Sequence, residues 1–580
     1  MTNAGAHGSL LEEAKKVMFD ILNSYPTGTG FVLLTNDNNR ATVLSKEEAS
    51  ISIAEIKPTA QPKKLSQVFK QTQDCMKEQA STLFLLSDFQ KNNCDFQSIG
   101  HDDLISPVFL LLKAENASNI YVKDVSFDQT MLHKKNQADN ISIRIANSSG
   151  KDGKDGNNIP ISLTINNKKK SVSKVNIPEN GEEVVHINYL NTENGYYKGM
   201  VEVTDFPVLF DNTFYFSYAI DDKVNILCID QETRNPFFGK LFADTADFRF
   251  KYVPIGQTAG INFSNYHLVI LDRTVSLSSG IESELENYLI AGGNLFIVPG
   301  NAMSVNVLNQ TLRKLHASTF GAADTNMNIA TVESQSPLFK DVFEKEEKNA
   351  VLPSAKLFYP LASGGNTEVL MKDKKGNNVF TSNTLGQGKI YISAFNLEAQ
   401  NSDMVYHPLF VPTMINMSYN VQSSLHTSWF LGTSSKQPVH ISGKKIKDNV
   451  PIHIRKIDGD FEFIPEIRKD FNGFYTLMNA HVIEDAGLYE VIQNEGVVDV
   501  LAFNYDRAES DLTVCDEKEL QTQFPNAKVE PIKTTQISHN NELVKEIVYQ
   551  DKNRYLAWWF ILVAVIALLL EQLVWRSKLK

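Results

Sequence analysis

The spacing of apolar residues changes repeatedly along this chain, and each change marks a different kind of element. Leu10, Leu11, Ala14, Val17, Met18, Ile21 and Leu22 recur at helical spacing, which predicts a helix with one buried face. Ser9 and Glu12 stand where a capping box would satisfy the free N–H groups of its first turn, and Tyr25 to Gly28 (YPTG) ends it. Residues 31–35 (FVLLT) and 83–86 (LFLL) are short continuous apolar runs, the pattern of strands covered on both faces. A helix predicted over 65–76 lies between them. This alternation predicts an open, doubly wound α/β sheet for residues 1–115.

From 118 to 220 the period becomes two. Ile141, Ile143 and Ile145, then Ile161, Leu163 and Ile165, then Val201 and Val203 alternate with polar residues, giving half-buried strands of a β-sandwich. The KDGKDGNN turn at 151–158 does not fit a calcium loop, because Lys154 and Gly156 fall on ligand positions. Alternation of strand and helix returns over 222–425. Residues 224–229 (VNILCI), 266–271 (YHLVIL), 295–298 and 389–393 (KIYIS) read as buried strands, and a helix face of Ile281, Leu285, Tyr288 and Leu289 ends at Gly292-Gly293. A second β domain spans 427–510. Residues 511–554 read as a juxtamembrane segment with helices over 517–524 and 542–549.

Residues 555–575 (YLAWWFILVAVIALLLEQLVW) are almost wholly apolar, long enough at 1.5 Å per residue to reach about the ~30 Å of a bilayer core. Trp558, Trp559 and Trp575 stand at headgroup level, and Arg576, Lys578 and Lys580 follow. The expectation is a membrane-anchored protein, with Glu571 close enough to the interface to snorkel toward the terminal cations. The positive-inside rule puts the short tail in the cytoplasm and the body in the periplasm. The opening MTNAGAHGSLLEEAKK has neither a basic nor an apolar leader region, which argues instead for a tail-anchored body inside the cell.

A net charge of −12 opposes nucleic acid as a partner, since phosphate binding needs a concentrated basic surface. Cys75, Cys94, Cys228 and Cys515 stand far apart without a CxxC, so no zinc site is signalled. Cys75 and Cys94 are the pair considered for a disulfide in an oxidising compartment; spacing alone does not decide it. Asp230 and Asp272 fall at strand C-terminal ends, where such sheets bind ligands, so a small-molecule site in 222–425 stays open. No HExxH, GxSxG, Walker or GxGxxG motif is present.

GSLLEEAKK, FVLLTND, KKLSQVF and LFLLSDFQK, in that order, resemble the von Willebrand factor A-like domain of aerotolerance (Bat, BatA-like) family membrane proteins. The resemblance implies a preceding strand ending in DxSxS and two membrane helices upstream. Neither the strand nor the motif is present, so the expectation is an N-terminally truncated chain with an incomplete sheet. Asp88 matches a position where the family places an outer metal ligand. The resemblance allows magnesium only in a chain that carries the missing strand, so no cofactor is expected here. YLIAGGNLFIVPG with LGQGKIYIS resembles the class I glutamine amidotransferase-like (flavodoxin-like) fold. That family's catalytic cysteine sits at an exposed strand-to-helix elbow. Cys228 lies inside a strand, and His407 in YHPLF reads as a docking turn, so no catalysis is expected. Asp485, Gly487 and Tyr489 resemble the tyrosine corner of immunoglobulin-like sandwiches, with Val491 where a cysteine often follows.

The expected fold is thus multidomain: an incomplete von Willebrand factor A-like sheet, an Ig-like sandwich, an amidotransferase-like domain, a second sandwich and a C-terminal transmembrane helix. The expected function is a non-enzymatic envelope scaffold binding other membrane or envelope proteins, in assemblies of the Bat and MoxR type. A ligand sensor or enzyme built on 222–425 and a cytoplasmic adaptor are the alternatives.

Overall fold

The computed structural model describes residues 4–532 apart from short internal stretches, the longest being 340–350 and 420–426. The expected layout is corrected. The described chain is a strand-rich mixed α/β assembly of eight sheets, and no helix among the described residues is long and apolar enough to cross a membrane. The 555–575 run with Trp558, Trp559, Trp575, Arg576, Lys578 and Lys580, and the helix expected over 542–549, lie outside the described residues.

A second correction concerns where the chain goes after residue 511. This stretch, expected to approach a membrane, returns to the first domain. The helix Glu517–Gln523 packs there, and the strand Lys528–Ile532 pairs in parallel with Ile105–Leu112, which pairs in parallel with Ser81–Ser87. The first domain is therefore discontinuous, and residues 118–510 form an insertion into it. Helix Leu10–Ser24 lays Leu10, Ala14, Val17 and Ile21 on one sheet face against Val108, Leu110, Leu112 and Ile532. Helix Leu65–Met76 and the returning helix cover the other face, where Phe524 stacks on Phe69 at 5.5 Å between centroids and meets Phe109 at 5.0 Å. The 31–35 run forms a ladder only over Phe31–Val32, antiparallel to Val43–Leu44, in a separate two-stranded sheet.

The first sandwich sets a four-stranded sheet on a three-stranded one. Ile141, Ile143 and Ile145 face Ile161, Leu163 and Ile165 across its core, all essentially without solvent exposure, so the period-two pattern is the inner face. In the second sandwich, Tyr489 Oη donates to the Asp485 carbonyl at 2.7 Å. Tyr197 Oη makes the same bond to the Glu193 carbonyl at 2.8 Å in the first, in the sequence ENGYY.

Between the sandwiches in sequence lies the largest sheet. Phe248–Pro254, Val224–Asp230, Leu268–Asp272, Asn294–Val298 and Gly388–Ser393 run parallel, and the sheet then continues antiparallel through Asn378–Leu385. The sheet is therefore mixed, parallel on one side and antiparallel on the other. Gly292 (φ 96°) takes the left-handed position that ends helix Ser279–Ile290, its N–H donating to the Leu289 carbonyl at 2.9 Å.

The two sandwiches are joined along Thr213–Ile220 and Gly496–Asn504. Asn504 Oδ1 accepts from the Tyr215 N–H at 2.7 Å and its Nδ2 donates to the Tyr215 carbonyl at 2.8 Å, while Ser217 Oγ donates to the Val500 carbonyl at 2.7 Å. Arg507 closes the joint. Its guanidinium donates to the carbonyls of Val122 (2.9 Å), Thr213 (2.9 Å) and Tyr505 (3.1 Å) and lies 5.6 Å from the Phe214 ring centroid. Burial pulls its pKa down to about 10, still well charged at neutral pH. Arg507→Ala strips three carbonyls of their donor. The expected loss is about 3–5 kcal/mol from the sandwich pair, read as a lower denaturant midpoint; an unchanged midpoint rejects the role assigned to Arg507.

Candidate functional site

Asp230 and Asp272 end adjacent parallel strands and face each other in register. Arg273 follows at φ 54°, a left-handed conformation that a non-glycine residue adopts at a cost. It gathers three carboxylates on one guanidinium. Nη2 lies 2.6 Å from Asp230 Oδ2, Nη1 lies 2.9 Å from Glu398 Oε1, and Nε lies 3.3 Å from Asp272 Oδ2. Asn301 Nδ2 donates to the other Glu398 oxygen at 3.0 Å and its Oδ1 accepts from Asn396 at 2.5 Å, so the arrangement is braced from behind. Asp272 is the deepest member. It has no solvent exposure, and its Oδ1 has no hydrogen-bond partner among the described residues. Burial pushes its pKa up to about 7, which the shared Arg273 offsets only in part.

The strand ends were visible as Asp230 and Asp272 in the sequence; Arg273 and Glu398 were not singled out. The available signal was a charge placed directly after a wholly apolar strand, as in LVILDR, where burial would demand a partner.

Cys228 and His407 are not brought together as a dyad. Cys228 is fully buried within its strand, and desolvation raises its thiol well above the usual range, with Asp272 adding to the effect. Cys228 packs in the apolar core of this domain, with Asp230, Asp272, Arg273 and Tyr252 adding to its electrostatic surroundings. His407 instead places Nε2 at 2.8 Å from the Val351 carbonyl, while Nδ1 accepts from the Leu409 N–H at 3.2 Å, which fixes a turn.

Asp88 follows the Ser81–Ser87 strand in the first domain. Ser87 Oγ lies 3.3 Å from one of its oxygens and Gln90 Nε2 lies 3.4 Å from the other. Glu509 is near; burial and then Asp88 raise its pKa, and Asn93 donates to it at 2.8 Å. A hard divalent cation takes six or more oxygens. Around Asp88 the described residues bring no group of three or more His, Cys, Asp or Glu side chains placed to hold an ion, so this donor set does not fit the magnesium that the family resemblance implies.

Beside Asp88 opens a cavity of about 1160 Å³ lined by Leu33, Leu34, Ile53, Val68, Leu83 and Phe84, among others. It lies between two strand edges. Among the described residues the Ser81–Ser87 strand pairs on one side only, and Leu33 and Leu34 continue an apolar run beyond the last ladder pair. The Tyr25 ring contacts both walls, 5.9 Å from the Phe31 ring and 6.4 Å from the Phe84 ring. Apart from Leu85, the Ser81–Ser87 strand is only half-buried, although its neighbour Ile105–Leu112 is mostly buried.

No protein-family model matches the chain, and no curated protein matches it. Among solved structures, a cytoplasmic protein from Salmonella typhimurium LT2 aligns at 10% identity over 34% of this chain and 100% of its own, with a TM-score of 0.29. A ThuA-like protein from Bacteroides uniformis ATCC 8492 aligns at 12% identity over 37% of this chain and 95% of its own, with a TM-score of 0.25. A β-galactosidase from Bacillus circulans sp. alkalophilus aligns at 12% identity over 47% of this chain and 41% of its own, also with a TM-score of 0.25. Likeness of this size assigns neither fold nor function.

The Asp272 environment sets a pH dependence. Its folded pKa is raised, so the folded state holds a proton that the unfolded chain has already lost between about pH 4 and 7. Stability is fully present below the unfolded pKa and falls as pH rises through about 7, by at most about 1.4 kcal/mol per pH unit. Asp272→Asn, uncharged throughout, is expected to flatten this fall in denaturation curves taken from pH 4 to 8. A variant with the wild-type slope rejects the assignment.

Proposed function

We propose that the protein is a protein-interaction scaffold whose working surface is the open sheet edge of the first domain. The cavity between Ser81–Ser87 and residues 33–34 carries this reading. Among the described residues this strand pairs with one neighbouring strand, and a sheet edge is a template for an added strand, β-augmentation being a common mode of peptide capture. Neighbouring strands lie about 4.8 Å apart, so an extended segment added to this edge would run beside Ser81–Ser87 at that spacing. Helix Leu10–Ser24 flanks one face of this edge through Phe84 and Leu86, and helix Leu65–Met76 flanks the other through Leu83 and Leu85. A segment buried on both faces must be apolar at consecutive positions. The partner therefore presents a run of about six apolar residues in extended form. Cys228, sealed in its strand, and the carboxylates engaged by Arg273 give the insertion the character of a rigid support in this reading.

The test titrates a fluorescent six-residue Val/Ile peptide, flanked by lysines for solubility, against the full chain. Saturable binding is expected, and Leu34→Arg is expected to weaken it about tenfold or more, equivalent to ~1.4 kcal/mol. The same peptide N-methylated at alternate residues is expected not to bind, because its ladder donors are gone. Absence of binding, or equal binding by the N-methylated peptide, rejects the proposal; circular dichroism of the variant confirms that it has folded.

A further inference from the structure

The insertion brings together two thiols from the opposite ends of the discontinuous domain. Cys515 sits on the returning segment, and its N–H donates to the Phe89 carbonyl at 2.8 Å. The Lys91 N–H donates to the Thr513 carbonyl at 2.8 Å, and Gln90 and Val514 form an antiparallel bridge between these bonds. The turn after Lys91 then folds Cys94 back, its N–H donating to the Lys91 carbonyl at 3.2 Å, and sets its side chain beside that of Cys515. Both side chains pack into one apolar cluster with Phe89, Phe109 and Leu520. The seam is held further by Lys91 with Glu519 at 2.9 Å.

We propose that Cys94 and Cys515 form a regulatory disulfide site that locks the returning segment to the loop after Ser81–Ser87. The pairing differs from the Cys75–Cys94 bridge considered from sequence. Cys75 lies on helix Leu65–Met76, and Cys228 is buried in another domain. Cys94 lowers the Cys515 pKa, with burial, Glu519 and Asp516 opposing and Lys91 helping, while Cys94 itself is raised; Cys515 is thus the more acidic sulfur of the pair.

The oxidant is a small disulfide such as oxidised glutathione. The pair's thiolate attacks one oxidant sulfur, forming a mixed disulfide and expelling one glutathione thiolate. The second protein thiol loses its proton and attacks the protein-bound sulfur, expelling the other. Two protein S–H bonds and one glutathione S–S bond are exchanged for one protein S–S bond and two glutathione thiols. The bond closes a covalent ring around the whole insertion and fixes one wall of the cavity, which Cys94 lines.

The experiment treats the native full chain with oxidised glutathione, alkylates free thiols and maps peptides without reduction. The expected result is a Cys94–Cys515 crosslinked peptide, with Cys75 and Cys228 left as thiols. Dithiothreitol and either Cys94→Ser or Cys515→Ser are expected to abolish it. The oxidised wild type is also expected to resist protease cleavage between residues 511 and 532 several-fold longer than the reduced form. A Cys75–Cys94 peptide, or no bridge in the wild type under native conditions, overturns the proposal.

Discussion

The chain leaves the first domain after Ile105–Leu112 and must come back to finish its sheet, and the rest of the structure depends on that return. Among the described residues the strand Lys528–Ile532 pairs with no strand near it in sequence and gains its ladder from Ile105–Leu112. The outgoing and incoming segments are therefore tied where they pass. Asn119 Nδ2 donates to the Ser510 carbonyl at 2.9 Å and to Asp211 Oδ2 at 2.7 Å. Ser148 Oγ accepts from the Leu512 N–H at 2.7 Å and donates to Asp511 Oδ1 at 3.1 Å. Closing so long a loop costs conformational entropy that grows only slowly with length. A few well-buried bonds at the neck, added to the folding of the insertion itself, offset it.

This constraint explains why the sandwiches are fused to each other. A flexible insertion would present its two ends at varying separation. Pairing Thr213–Ile220 with Gly496–Asn504 through Asn504 and Ser217, and fixing Arg507 across three carbonyls, holds entry and exit together. Arg507 suits the place because a planar guanidinium with five donors can satisfy carbonyls from separate segments at once. A lysine would supply charge without that fork.

The parts legible in the sequence were those decided by local pattern. Residues 10–22 announced a one-faced helix, the alternation at 141–145 and 161–165 announced inner sandwich faces, and Cys228 in VNILCI announced a buried thiol. Tyr489 was readable because the corner spacing is local. The return of 528–532 was not readable. KVEPI is short, half polar and contains a proline, so it carries no buried-strand signature; its place is set by Ile105–Leu112, hundreds of residues earlier. Arg507 carries no local signal for the same reason, since two of its acceptors come from Val122 and Thr213. At the strand ends, Asp230 and Asp272 were visible, but the left-handed turn that aims Arg273 at them depends on the folded sheet.

The two cavity walls differ in how firmly they are held, and this bears on what the opening can do. On the Ser81–Ser87 side, the strand belongs to a three-stranded parallel sheet backed by helices on both faces, and its following loop is pinned through Phe89, Lys91 and Asn93 to the returning segment. On the other side, Phe31–Val32 is held by two ladder pairs with Val43–Leu44 and by the small cluster of Leu22, Ala49 and Ile53. A two-stranded ribbon is marginal alone. Helix Leu10–Ser24 ties it to the larger sheet, since Met18 packs on both clusters. A strand seated in the gap would join the ribbon to the larger sheet and bury the half-exposed faces of Phe31, Leu33 and Phe84 together. The weak wall is thus the one that binding would order, and the strong wall is the one whose position is set by the return of the chain.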